Sequence, residues 1–366
     1  MRNLLRTGLM IPLAIQVLGA LALVSNAAGQ TESPFSFEVE DEQVAVFLDG
    51  NLFTRYHTAG GQVPYLWPVI GSNGAEMTRA FPMRAGVEGE AVDHPHQRSF
   101  WFAHGDVNGI DFWHVANKSG RIEHQRFLKV GDASDPMLII ENHWLDDDGE
   151  KQCTDIRVLR FGAGEDDQRW IDFDISILAD AEAPVEFGDT KEGCLGLRVA
   201  STLKVDAESG GGQIVNNNND RNADTWGKTG AWVDYHGPVN DETVGIAILN
   251  HPDSFRFPTY WHVRSYGLFA ANAFGWRAFR NAPGEDGSYT LAPGESLTFC
   301  YRVLLHRGDE TEGNVRDAFI AYAKEDKSLT PAALFEQLLT DPPAASEGEI
   351  EIQPQAKTAR VPDARG

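Results

Sequence analysis

The chain has 366 residues and a formal net charge of −23, from 54 acidic against 31 lysine and arginine side chains. A body that acidic repels nucleic-acid phosphates and anionic lipid, so no nucleic acid and no membrane surface is expected as a partner. A neutral small-molecule or polysaccharide substrate, or a cation, is more compatible. Three cysteines, Cys153, Cys194 and Cys300, permit at most one disulfide and show no C-x-x-C metal spacing.

At the N-terminus Arg2 and Arg6 precede an apolar run over residues 9–24, and Ser25-Asn26-Ala27 supplies small residues for cleavage. Residues 1–27 read as a secretory signal, which places the product in the periplasm or outside the cell. Residues 28–340 read as one domain. Phe35, Phe37 and Val39, then Val44, Val46 and Leu48, alternate with polar residues around Glu40-Asp41-Glu42, a hairpin closed by an Asp49-Gly50 turn. Residues 137–144 and 156–161 are further strands. Ile171, Phe173, Ile175 and Ile177 alternate with Asp172, Asp174 and Ser176, the pattern of a half-buried strand. Leu195, Leu197 and Val199 repeat it, as do Leu297 through Leu305 after Pro293-Gly294.

Glycine and proline punctuate these strands, and helical spacing appears only near the end. Val315, Ala318, Phe319 and Tyr322 fall at i, i+3, i+4, i+7, and Thr330-Pro331 opens a second helix. The expected fold is all-β, a large sandwich with two short C-terminal helices. Residues 341–366 have no periodicity and read as a disordered tail.

The densest chemistry lies in Asp93-His94-Pro95-His96-Gln97-Arg98-Ser99-Phe100-Trp101-Phe102-Ala103-His104-Gly105-Asp106. Read as an extended segment, it puts His94, His96, Arg98, Phe100, Phe102 and His104 on one face, a polar pocket with aromatic walls. Further polar-aromatic stretches are Val107 to His114, Gly188-Asp189-Thr190-Lys191-Glu192-Gly193, the Asn/Asp-rich loop from Ile214 that ends in Trp226-Gly227-Lys228 and leads to Trp232, and Pro258-Thr259-Tyr260-Trp261-His262-Val263-Arg264-Ser265-Tyr266-Gly267. Nine tryptophans suit stacking on pyranose faces, although each could equally fill a β core.

Acid–base work falls to His96, His104 or His262, with Glu192 or Asp93 as base or orienting carboxylate. Arg98, Trp101, Asp106, Asn108, Asp189, Lys191, Trp261 and Arg264 are the candidates for holding substrate. A divalent metal at His94 and His96, completed by His104 or a distant carboxylate, is the alternative, because His-x-His aims two imidazoles to one side of a strand. No phosphate loop, dinucleotide fingerprint or serine elbow is present.

Tyr65-Leu66-Trp67-Pro68, Thr78-Arg79-Ala80-Phe81-Pro82-Met83, the Asp93 to Ser99 run, Phe102 to Gly109, Phe187 to Gly193 and Trp261 through Asn272 together resemble the PmoA-like family of exported bacterial proteins, common in planctomycetes. The resemblance covers about residues 35–306. Its members usually show a second histidine where Gln97 stands. It implies a galactose-mutarotase-like β-supersandwich, and Leu291-Ala292-Pro293-Gly294-Glu295-Ser296-Leu297 is similar to that superfamily's closing strand. Mutarotases work on a sugar's anomeric carbon with a histidine acid and a glutamate base. The family's common label, methane oxygenase, implies instead a metal-dependent oxidoreductase at His94 and His96. A non-catalytic glycan-binding protein is the third reading.

Overall fold

The computed structural model describes residues 34–340 apart from 117, 207–210 and 283. The leader and the tail read from the sequence lie outside the described residues. In chain order the strands are β1 (Phe35–Glu40), β2 (Gln43–Leu48), β3 (Asn51–His57), β4 (Tyr65–Val69), β5 (Phe100–His104), β6 (Arg121–Asp132), β7 (Asp135–Leu145), β8 (Lys151–Ala163), β9 (Arg169–Leu178), β10 (Val185–Phe187), β11 (Gly193–Arg198), β12 (Gln213–Asn216), β13 (Trp232–Val239), β14 (Glu242–Asn250), β15 (Tyr260–Val263), β16 (Leu268–Asn272), β17 (Tyr289–Leu291) and β18 (Ser296–Arg307). The helices are α1 (Trp276–Arg280), α2 (Val315–Tyr322) and α3 (Pro331–Thr340). Among the described residues no helix is long and apolar enough to cross a membrane.

Two antiparallel eight-stranded sheets form the sandwich. The first runs β1-β2-β3-β4-β5-β11-β16-β15, the second β12-β13-β14-β18-β9-β8-β7-β6, and β10 pairs with β17 apart from both. The fold class read from alternation is the one observed. Apolar residues at every second position meet between the sheets, where burial removes them from water. Phe100 and Phe102 of β5 pack against Phe173 of β9 at ring separations of 5.4 and 6.1 Å, and Phe102 against Phe299 of β18 at 5.6 Å. Cys153, Cys194 and Cys300 are buried free thiols, so the one bridge the sequence permits is not formed.

The expectation of a half-buried β9 is corrected. Its second face, Asp172, Asp174 and Ser176, is buried as well. The chain returns over that face after β18. Arg302 grips Asp172 with two bonds of 2.6 and 2.8 Å, Arg160 reaches Asp174 at 2.9 Å, and Lys327 reaches it at 3.1 Å. Leu334, Phe335 and Leu338 of α3 cover Ile139, Ile156 and Val158, while Val315 and Tyr322 of α2 join Trp232, Leu249 and Leu304. A polar outer face stays buried when each carboxylate finds a cation.

Candidate active site

The register of the first sheet aligns Tyr65, Trp101, Gly196, Ala270 and His262 in one row across five strands. Their chain neighbours Phe100, Leu195, Leu197, Phe269 and Trp261 lie on the opposite face of the sheet, and Tyr65, Trp101 and Ala270 of the row are buried as well. Gly196 makes room for Trp101: a β-carbon there would lie 2.7 Å from the indole. That indole also meets Trp113, ring centres 5.1 Å apart, and Trp101 is 1 % exposed. Trp261 is fully buried on the core side, its Nε1 donating to the Gly230 carbonyl at 3.0 Å. Both tryptophans are packing residues, and neither offers a free face to a sugar.

The extended reading of residues 93–106 holds only for β5. His94 and Ser99 take positive φ of 45° and 52°, which breaks the two-residue alternation before the strand begins. Two buried arginines shape this loop. Arg79 donates to Asp93 at 2.6 Å and to the His94 carbonyl at 3.0 Å. Arg198 of β11 donates to Asp93 at 3.1 Å and to the Gln97 side chain, also buried. Burial pushes the Asp93 carboxyl up, but Arg198 and Arg79 outweigh it and hold it below the usual carboxylate range. Asp93 is therefore a clamp for the loop and a poor proton acceptor. The Arg198 guanidinium also lies 4.7 Å from the Tyr266 ring centre, and His94 stacks on that ring at 5.8 Å.

From this clamp a chain of imidazoles crosses the outer face. His94 meets His96 at 5.7 Å between ring centres, and His96 meets His114 at 4.8 Å. The charges of Glu192 and Lys191 act on His114, and that of Glu192 on His262. Trp226 and Phe279 stand edge-on to His262 at 6.4 and 6.1 Å. Arg264 lies 5.8 Å from the Trp226 ring centre and 5.9 Å from that of Tyr266, which returns the circuit to His94.

The histidines are tuned in opposite directions. His262 Nδ1 donates to the Lys191 carbonyl at 2.8 Å, so Nε2 carries the lone pair. Burial pulls its pKa down to about 4. His96, its Nε2 buried without a partner, is pulled down to about 4 by burial and then by the charge of His114. His114 donates from Nδ1 to Asp111 Oδ2 at 2.8 Å, and that bond raises its pKa above the ordinary value despite partial burial. Burial raises the Glu192 carboxyl, but Lys191 and Thr190 (Oγ1 at 2.6 Å) donate to it and leave the balance lowered. One neutral imidazole and one readily charged on the same face are what a general base and a general acid require.

Of the residues singled out in the sequence, His94, His96, Lys191, Glu192, His262 and Arg264 come together here. The others do not. His104 is 1 % exposed, with Nε2 bonded to the Gly188 carbonyl at 2.9 Å and the ring against Phe274 at 4.7 Å, so it faces packing. Asp189 accepts from the backbone N–H of Arg277 at 3.0 Å and of Gly287 at 2.7 Å, fixing a loop and the start of α1. Asn108 bridges to the Glu186 N–H at 2.8 Å and to Gln152 at 3.1 Å. Asp106 lines a recess with Glu186, Gly188 and Tyr289, and Arg98 lines another with Gly61, Ala116 and Arg121. Neither recess is lined by a histidine. Asp111, His114, Trp226 and Tyr266 lie in stretches the sequence marks as polar-aromatic, but the sequence assigns them no role, although the spacing Asp111-x-x-His114 carries the pairing. Among the described residues the one group of three or more histidine, cysteine or carboxylate side chains whose ligand atoms lie within 4.8 Å of one another is Asp234, His236 and Glu310, away from His94 and His96.

Residues 43–320 match a family described as "Family of unknown function (DUF6807)". The chain belongs to DUF6807. The DUF6807 match takes in every residue of the histidine face and stops within α2, before Lys327 and α3. Among solved structures, this DUF6807 chain aligns with a polysaccharide lyase at 10 % identity and a TM-score of 0.31, over 78 % of this chain and 34 % of that one. The chain thus spans about a third of that protein's length, and a likeness at this level assigns neither fold nor activity. No curated protein matches the DUF6807 chain.

Proposed function

We propose that this chain is an exported enzyme acting on a saccharide by histidine acid–base chemistry on the outer face of the first sheet. The observation that carries the reading is the opposed tuning of His114 and His262 around one ionised carboxylate, Glu192. The imidazolium of His114 gives a proton to a sugar oxygen while Nε2 of His262 takes one from a hydroxyl, so the enzyme's own proton count is unchanged. Glu192 stabilises positive charge on either ring rather than abstracting a proton, because Lys191 and Thr190 already occupy its oxygens. Half-buried Trp226 and Tyr266 supply apolar walls, and exposed Arg264 between them a donor for hydroxyls. The sandwich architecture and outward histidines are compatible with the supersandwich implied by the PmoA-like resemblance, and the signal-like N-terminus is the ground for export.

The test is turnover of a saccharide library, followed by His114→Ala and His262→Ala. Each variant should lose about 10²- to 10⁴-fold in kcat with circular dichroism unchanged. The profile of kcat/KM should be bell-shaped, its acid limb set by His262 near pH 4 and its alkaline limb by His114 above the ordinary histidine value. Wild-type rates in both variants would exclude this assignment. Sugar binding with no turnover of any library member would favour a glycan-binding protein.

A further inference from the structure

The outer face of the second sheet holds a second cluster of ionisable side chains that the proposed chemistry does not use. In β13, Val233 and Tyr235 point into the core, so Asp234 and His236 point away from it. In β18, Val303 and Leu305 do the same and leave His306 outward. The segment after β18 closes over these side chains and brings in Glu310. Asp234 and His306 have no exposed surface, and His236 is 6 % exposed. Two glycines shape the enclosure: a β-carbon on Gly245 would lie 2.2 Å from the His306 ring, and one on Gly313 2.1 Å from it.

We propose that Asp234, His236 and Glu310 form a binding site for a divalent transition-metal ion, zinc or manganese in class. His236 Nδ1 lies 2.6 Å from Asp234 Oδ2 and 3.7 Å from Glu310 Oε2. The 2.6 Å contact is an Nδ1–H···Oδ2 hydrogen bond, and the three ligand atoms all lie within 4.8 Å of one another. An ion entering between them takes the place of the Nδ1 proton, which leaves to solvent, and draws the three toward the spacing of about 3.4 Å set by tetrahedral bonds of about 2.0–2.2 Å. Both carboxylates are steadied from behind by their other oxygen. Asp234 Oδ1 is 2.7 Å from Nε2 of the buried His306, and Glu310 Oε1 is 3.1 Å from Arg221. That is the arrangement of ligands whose free atoms are fixed by outer partners so that the inner atoms converge. One imidazole nitrogen with two carboxylates selects zinc or manganese over calcium and magnesium, which take all-oxygen sites. The ion would tie the segment leading into α2 to β13.

The site is tested by titrating the full-length protein with zinc chloride in a calorimeter, with thermal melts in zinc and in EDTA. The expected result is one equivalent bound and a melting temperature raised by zinc and lowered by EDTA. Binding should weaken at least tenfold in Glu310→Gln and vanish in His236→Ala, and His96→Ala should bind as the wild type does. Should His236→Ala fail to fold, Glu310→Gln decides, since Glu310 is a loop residue. No stoichiometric zinc binding, binding unchanged in Glu310→Gln, or binding abolished by His96→Ala would overturn the proposal.

Discussion

A histidine shut away from water resists taking a proton, and His104 shows the consequence for stability. Burial pulls its pKa from 6.5 down to about 4, only partly offset by the Gly188 carbonyl. In the unfolded chain it titrates near the ordinary value. Between pH 6.5 and 4 the unfolded state therefore binds more protons, and stability falls as pH falls through that window. Above it the contribution is intact; below it the loss levels off. The full loss from this residue is on the order of 3 kcal/mol. In His104→Phe the slope of melting temperature against pH should flatten across the window, whatever the variant's absolute stability; an unchanged slope would reject this account. The sequence supplied the histidines but not their signs. His104 ends β5 and His262 lies within β15, and only the packing around them makes both rings neutral.

Lys327, in the stretch between α2 and α3, belongs to the scale of elements. It lies over β9 within 3.1 Å of Asp174 and 3.9 Å of Asp172, all three nearly buried. Burial raises the Asp174 pKa, Lys327 opposes that shift, and the neighbouring Asp172 adds to it. Lys327→Ala should cost about 2 kcal/mol in urea unfolding, less than the 3–5 of a charge left wholly unpaired, because Arg160 and Arg302 remain. Adding Asp174→Asn to Lys327→Ala should recover part of that loss. A Lys327→Ala effect within about 0.5 kcal/mol of zero would mean water reaches the pair. Strands with clean alternation, such as β1, β2 and β9, could be read directly from the sequence. β14 was harder to read, since its second face carries Gly245, Ala247 and Leu249 and is buried too, so apolar residues no longer alternate with polar ones. β6 escaped for the opposite reason: its pairing with β7 shifts register at three places, and the polar and apolar residues fall out of step.

For the whole molecule the governing quantity is the chain's net charge of −23, most of it carried by the sandwich. Like charges at the surface oppose compaction, and salt screens them over a distance falling from about 30 Å at 0.01 M to about 3 Å at 1 M. The shielded pairs around Asp172 and Asp174 are screened much less. Melting temperature should therefore rise with sodium chloride from 10 mM to 0.5 M. A fall would mean that exposed ion pairs outweigh the general repulsion.

By itself the sequence determined the all-β class, the C-terminal helices, and the stretches in which the chemistry would lie. These follow from local rules: a period of two, a period near 3.6, and turn residues between them. Tertiary structure decided which members of those stretches meet. Arg79 lies 14 residues and Arg198 105 residues from Asp93 in sequence, and together they turn a candidate base into a clamp. His114 and His262 are separated by much of the chain and are joined only through the strand order that places β11 between β5 and β16. Burial and neighbouring charge set the proton affinity of each ring, and both are properties of the folded surface rather than of any segment of the chain.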